Sequence, residues 1–218
     1  MAEFYAIITN FGNAPKASAR FDVSVDTTLG VGIDVLYNVY DTNGAQLAEF
    51  TSRCNNMGLA TSSAIATNDL FKLTGGAPGL VRARTPDGAP TASALLHQSG
   101  PGNRLDLNVP PTRRRDGVPF AMGTSFSIAL GDVPTPALLI ANLNGQDVSA
   151  DVFRGSRGAD GAGAFTTPRI AANALWRVDL TDADKNTNLV VHSSGLVIVQ
   201  LVFDDGQRVS ALTCLPSV

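Results

Sequence analysis

Residues 65–73 of the chain are IATNDLFKL, and residues 170–178 are IAANALWRV. The two stretches align without gaps: the Ile, Ala, Asn and Leu residues are identical, and an aromatic residue and a cation keep their places. A segment that recurs in this way is typical of a duplicated structural unit. We therefore predict that the chain contains two copies of one domain.

The repeat makes specific predictions for two pairs of residues. Asn68 should superimpose on Asn173, and Phe71 and Trp176 should both be buried in matching core positions. For the recurrent Asn there are two interpretations: a ligand contact, or a side chain that satisfies backbone groups where a strand bends. We favour the second.

The segments around the repeat keep the same order in both copies. Residues 79–83 correspond to residues 188–192, and an apolar strand follows each of them. Upstream, we pair residues 5–10 with residues 137–142, which makes the first copy longer by an inserted hairpin. In the alternative register the hairpin is common to both copies, and the N-terminal strand is the addition.

Short apolar runs separated by glycine and proline indicate the fold class. Of the 218 residues, 44% are hydrophobic and 16% are charged, and 21 Gly and 12 Pro lie between the runs. This composition is typical of a globular, turn-rich all-β protein. We predict two tandem, internally duplicated antiparallel β-sandwich domains, at residues 1–98 and 119–218. A linker rich in Pro, Gly and Arg joins them at residues 99–118, and its alternating residues 105–109 are compatible with one edge strand of either domain.

Residues 31–50 predict a β-hairpin, and this hairpin is the extra strand pair of the first copy. Apolar residues alternate with others along its first strand, so one face should be buried. The opposite face still carries Leu36 and Tyr40, and the strand has neither Lys nor Pro to protect an edge. We therefore predict that the protein self-associates through Leu36, Tyr37 and Tyr40; the alternative is that the second copy covers this surface.

Charge and hydropathy exclude several classes of protein. The net charge is −3 and the isoelectric point about 5.2, which argues against a nucleic-acid partner. No apolar stretch approaches the roughly 18 residues of a membrane helix. The N-terminus has no signal peptide pattern, although an exported or virion protein without its leader would look the same. Cys54 and Cys214 fall at non-matching places in the two copies, and we predict two free thiols.

One segment resembles the start of a calcium loop. Asp182, Asp184 and Asn186 place oxygen atoms at every second residue, but Thr187 and Ser193 stand where such a loop needs Gly and Glu. We predict a polar turn whose side chains cap backbone groups, with no metal and no cofactor.

Catalytic motifs are absent from the sequence. Residues 158–163 are rich in glycine, but no helix pattern follows them as a phosphate loop requires. His97 and His192 each lie at the edge of an apolar strand, where a hydrogen-bonded structural histidine is common. There is no Gly-x-Ser-x-Gly nucleophile elbow. We predict that the protein is not an enzyme.

Two resemblances to known families remain. Residues 139–142, 148–152 and 191–200 together resemble the small β-sandwich of the soluble transducer associated with microbial sensory rhodopsins. This resemblance covers about 80 residues, and it implies a non-enzymatic, oligomeric binding module. Residues 4–14 are similar to the opening of phage tail-collar fibre proteins, which implies a virion or appendage protein.

These observations lead to two functional hypotheses. The first is a structural or interaction protein that self-associates and presents loops or sheet edges to a protein partner. The alternative is a carbohydrate-binding module in which Trp176, Tyr37 or Tyr40 stacks on a glycan and residues 182–188 hold a supporting calcium ion. A hydrolase with a triad scattered over loops is a third and more remote hypothesis.

Overall fold

A computed structural model divides the chain into two compact units, Met1–Val118 and Pro119–Val218. Regular structure is almost entirely β-strand, and every strand pair is antiparallel, so the predicted all-β class is confirmed. The structure describes residues 2–9, 17–25, 33–54, 62–65, 69–86, 91–100, 103–112, 121–132, 136–155, 163–204 and 209–217.

The first unit consists of two four-stranded sheets, with strand orders β1-β6-β3-β4 and β5-β2-β7-β8. One short helix, α1, precedes β6. The elements are β1 (Glu3–Ile8), β2 (Ser18–Val25), β3 (Ile33–Tyr40), β4 (Gln46–Cys54), β5 (Ser62–Ile65), α1 (Leu70–Leu73), β6 (Gly79–Arg84), β7 (Thr91–Gly100) and β8 (Asn103–Val109).

The predicted alternation of β3 is confirmed in the core of this unit. Val35, Tyr37 and Val39 are fully buried in the cluster formed by the inner faces of the two sheets. The ring of Tyr37 stacks on Phe50 of β4 at 5.2 Å between centroids and meets the edge of Phe21, on β2, at 6.3 Å. Aromatic contacts of this kind add about 0.5–1.5 kcal/mol each to the effect of burial.

The hairpin does not provide the exposed edge that we expected. β3 lies between β6 and β4 and is paired along both sides. Tyr40 is only 6% exposed, and Leu36 is half-buried. The premise that this hairpin leaves a large apolar surface and a free edge is therefore wrong, because Tyr40 is buried, Leu36 is half-buried and β3 is paired along both backbone edges. The edge strand is β4, which carries the exposed charged residues Glu49 and Arg53.

Much of the predicted linker belongs to the first unit. β7 continues to Gly100, and β8 pairs with it from Ala94–Val109 to Gly100–Asn103. Beyond β8, the backbone N–H and hydroxyl of Thr112 both donate to the carbonyl of Glu3, at 2.9 and 3.0 Å. The alternation of residues 105–109 was thus the stronger signal, and the basic residues 113–115 lie outside the described part of the chain.

The second unit is built around one long strand. The strands are β9 (Gly123–Ala129), β10 (Pro136–Asn142), β11 (Val148–Arg154), β12 (Arg169–Ile170), β13 (Leu175–Asp179), β14 (Asn188–Asp204) and β15 (Val209–Cys214). The first half of β14 pairs with β9 and β11, and its second half pairs with β10 and β15.

A bend in β14 brings both halves into one core. The register shifts between His192 and Val197, and Gly195 lies inside this bend. A Cβ at Gly195 would come within 2.6 Å of Val148 Cγ1 and 2.9 Å of Asn144 Nδ2, so the close approach requires glycine. Side chains from both halves, including Val191 and Val199, then pack in a single cluster.

The nine-residue repeat adopts different structures in its two places. Leu70–Leu73 forms helix α1, whereas the aligned residues from Leu175 form β13. Asp69 caps α1, because its carboxylate accepts the N–H of Phe71 at 3.1 Å, and the aligned residue Ala174 has no side chain that can do so. The duplication is therefore not confirmed.

The core positions predicted from the repeat also differ. Phe71 is buried, but Trp176 is 43% exposed, so the prediction that both are buried is wrong for Trp176. Asn173 has a φ of 57°, a left-handed conformation that Asn tolerates better than most residues. Asn68 lies outside the described residues, so the predicted superposition of the two Asn residues is not tested.

Candidate functional site

Four large apolar side chains are conspicuously exposed among the described residues, and they mark the candidate interaction surfaces. Leu47 is 43% exposed on β4, and Trp176 is 43% exposed on β13. Leu212 on β15 is 59% exposed, and Leu215, which follows that strand, is 55% exposed. Three of the four therefore lie on strands at the edge of a sheet.

Trp176 lies on the edge strand β13, opposite Ile140 of β10. Arg177, whose Nε donates to Asp179 Oδ1 at 2.6 Å, follows Trp176 in the strand and therefore lies on the opposite face of the sheet. An exposed indole is a suitable platform for stacking on a flat apolar ligand surface. The other two aromatic candidates are not available in this way, because Tyr37 and Tyr40 are buried within the chain.

β15 is the least polar of these edge strands. Its sequence, VSALTC, contains no charged residue and no proline. It pairs with β14 from Val199–Cys214 to Asp204–Val209, and no described strand pairs with its other side. Cys214 is a free thiol that points into the core, and burial raises its pKa to about 11. The thiol is consequently a poor nucleophile near neutral pH.

A network of ionisable side chains covers part of the sheet that contains β2, β7 and β8. Nδ1 of His97 lies 2.6 Å from Asp106 Oδ1, and its Nε2 lies 3.3 Å from Asp22 Oδ2. Arg20 pairs with Asp22 at 2.7 Å, and Arg104 pairs with Asp106 at 2.8 Å.

The chemistry open to this network is limited because most of its members pair with one another; Asp22 Oδ1 is the exception, buried without a hydrogen-bond partner among the described residues. Both ring nitrogens of His97 lie beside a carboxylate. Slight burial raises the pKa of Asp106, but hydrogen bonds from His97 and Arg104 outweigh it and hold that pKa below its usual value. The arrangement is that of a structural, hydrogen-bonded histidine.

The acidic turn of the second unit directs its central carboxylate inward. Asp184, in a 3₁₀ turn at Asp182–Asp184, is fully buried, and its Oδ2 accepts the N–H and the hydroxyl of Thr181 at 2.7 and 2.9 Å. Its Oδ1 accepts a hydrogen bond from Nε of Arg154. The guanidinium of Arg154 also lies 4.3 Å from the ring centre of Phe165. The carboxylate of Asp184 therefore caps the backbone N–H of Thr181 and forms an ion pair with Arg154.

The other members of the calcium-like pattern do not converge on Asp184. Asp182 is exposed and pairs with Lys185 Nζ at 3.1 Å, and Asn186 is exposed, with a φ of 56°. Among the described residues, no group of three or more His, Cys, Asp or Glu side chains is arranged to hold a metal ion.

Leu212 and Leu215 were not among the residues predicted from the sequence. Both follow an apolar pattern that is indistinguishable from that of a buried strand, and Cys214 in the same strand is in fact buried. The uncharged run at residues 209–214 gave no signal of exposure, since a strand without charges is more typical of the interior of a sheet than of its edge.

No described helix is long and apolar enough to cross a membrane. Comparison with known proteins gives no relative: no family model matches the chain, and neither a curated protein nor a solved structure matches it significantly.

Proposed function

We propose that the protein is a non-enzymatic structural or interaction protein of the surface, appendage or virion type. It self-associates and presents sheet edges to a partner. The observation that carries this proposal is the location of the exposed apolar side chains, since Leu47, Trp176 and Leu212 all lie on edge strands. An edge strand has free N–H and C=O groups that another chain can pair with, and an exposed apolar side chain adds contact area to that pairing.

The state of the polar groups supports a role without catalysis. The set of ionisable side chains around His97 is paired internally except at Asp22 Oδ1, and the buried Asp184 accepts hydrogen bonds from Arg154 and Thr181. Catalytic sites usually contain a group with an unused proton donor or acceptor that faces a cleft. The resemblance of the second unit to the soluble transducer family, whose members are oligomeric binding modules, is consistent with the proposal.

Sedimentation velocity across a dilution series tests self-association. We expect a dimer or a larger closed oligomer at tens of micromolar protein, which dissociates on dilution. A chain that stays strictly monomeric over that range contradicts the proposal.

One observation favours carbohydrate binding as a second candidate, namely the exposure of Trp176. Aromatic rings stack on the apolar faces of sugars. A glycan array with wild-type protein and Trp176→Ala, each with and without calcium, tests it. Binding that is lost in the variant and is unaffected by calcium supports this candidate, because Asp184 is already satisfied without an ion. A blank array contradicts it.

A further inference from the structure

We infer that the proposed self-association runs through β15, whose open edge pairs antiparallel with β15 of a second copy of the chain. The inference rests on the proposed function and adds the contact surface and its partner. Three features of the described residues support it: the open edge, the lack of protecting charges and the symmetry of the pairing.

The open edge of β15 contrasts with that of its neighbour β9. The backbone N–H of Ser217 donates to the carbonyl of Ser125 in β9 at 2.8 Å, so the tail after β15 occupies part of the edge of β9. Pro216 packs closely there, because a Cβ added at Gly123 would lie 2.4 Å from its Cβ. β15 has no corresponding contact among the described residues.

The remaining edge strands that the structure describes have features that discourage pairing. Charged side chains, very short strands and covering segments are the usual means of preventing two sheet edges from joining. β4, β8, β12 and β13 each carry at least one charged residue, β5 has four residues, and β1 accepts hydrogen bonds from Thr112. β15 has no charge, and no described residue covers its outer edge.

Symmetry favours a second copy as the partner. A two-fold axis perpendicular to the sheet keeps the core faces of the two copies on the same side. Opposite residues must then point to the same face, so the residue numbers of each opposite pair add up to an even number. With the axis at Leu212, Leu212 of one copy lies opposite Leu212 of the other, and Ser210 of each copy lies opposite Cys214 of the other. All of these residues are uncharged, so no like charges meet, and the two exposed leucines cover each other.

The expected contact is small. A pairing of two six-residue strands with one exposed leucine, Leu212, on each side is at the lower end of specific interfaces, below about 1,200 Å² in total. We therefore expect dimerisation in the micromolar range with rapid exchange. The test must accordingly cover a range of concentrations.

Leu212→Lys tests the inference, with Leu47→Lys as the matched control. Both leucines are exposed and lie on edge strands, so neither substitution should impair folding, which far-UV circular dichroism checks. In sedimentation velocity we expect Leu212→Lys to weaken dimerisation at least tenfold, since two lysines would face each other across the axis. Leu47→Lys should behave as wild type.

Leu212→Cys provides a second measurement. In a background of Cys54→Ser, mild oxidation should give a disulfide-linked dimer, because directly opposite residues of an antiparallel pair lie within disulfide distance. A strictly monomeric wild type overturns the proposed function and this inference together. An oligomer that Leu212→Lys leaves intact and Leu212→Cys does not cross-link overturns this inference alone.

Discussion

Oε1 of Gln98 accepts a hydrogen bond of 2.9 Å from the backbone N–H of Thr9, and both residues are buried. Gln98 belongs to β7 and Thr9 follows β1, so this contact joins the two sheets of the first unit. The hydroxyl of Thr9 reaches the same oxygen at 3.3 Å. Gln200 of β14 is equally buried, but neither polar atom of its side chain has a partner within the described structure.

The two glutamines should therefore respond oppositely to the same substitution. Gln98→Met leaves the N–H of Thr9 without an acceptor and should lower the free energy of unfolding by about 1–3 kcal/mol. Gln200→Met removes a buried unpaired amide and should be neutral or stabilising by about 1 kcal/mol. Urea unfolding measures both. Equal losses in the two variants would contradict the assignment of their partners.

Asn142 should tolerate no change of its amide. It is fully buried, and its Nδ2 donates to the carbonyls of Gln146, Ile170 and Ala171 at 2.8–3.0 Å. Asn142→Asp keeps the shape but places a carboxylate oxygen against three carbonyl oxygens. We expect a loss of at least about 3 kcal/mol of stability at pH 7, measured by urea unfolding.

The control for this substitution is Asn43→Asp, in the exposed turn between β3 and β4. It makes the same chemical change at the surface and should stay within about 0.5 kcal/mol of wild type. If Asn142→Asp were as mild as the control, Asn142 would not be the donor that the geometry assigns.

The carboxylate of Asp184 should make the second unit sensitive to acid. Hydrogen bonding from Arg154 and then from Thr181 outweighs the effect of burial and lowers the pKa of Asp184 below its usual value of 3.8. The stability it contributes is present above the unfolded-state pKa and is lost as pH falls through the folded-state value. Asp184→Asn should therefore cost about 2–3 kcal/mol at pH 7, and the difference from wild type should shrink below about pH 4.

Fluorescence can follow this effect in the second unit, because Trp176 is the only tryptophan of the chain. Thermal unfolding recorded by its emission from pH 3 to pH 7 gives the profile. Asp182→Asn is the matched control, since that side chain is almost fully exposed and should leave the profile unchanged. A pH-independent difference between Asp184→Asn and wild type would exclude the proposed linkage.

Asp69 should be needed for helix α1 and for its attachment to β2. Its Oδ1 accepts the N–H of Phe71 at 3.1 Å and that of Ala19 at 3.0 Å. Asp69→Ala removes both acceptors and should cost about 1–3 kcal/mol. Lys72→Ala, on the exposed side of the same helix, should cost less than about 0.5 kcal/mol. Tyrosine fluorescence detects the change in the first unit, which contains all three tyrosines.

The sequence predicted features that depend on local pattern. The alternation along β3 and the all-β class follow from side-chain periodicity and turn residues, which act over a few positions. The duplication inferred from the repeat is not confirmed: the aligned residues form α1 in the first unit and β13 in the second, and Asp69 caps α1 whereas Ala174 cannot cap a helix. A similar pattern of apolar residues is therefore compatible with both structures.

The candidate site was harder to predict because it depends on strand order. Whether a strand lies inside a sheet or at its edge is set by distant partners, such as β6 and β4 on either side of β3. Tyr40 on the interior strand β3 is buried, whereas Leu212 on the edge strand β15 is exposed. The sequence around each residue does not show which distant strands pair with its own strand.

The length of β14 has a consequence for how the second unit unfolds. A single strand of 17 residues supplies hydrogen-bond partners to β9, β10, β11 and β15, and its two halves share one core. Detaching it from any neighbour exposes part of the common core, so the unit should open all at once. Amide protons along both halves of β14 should exchange with solvent at a similar, slow rate set by global unfolding.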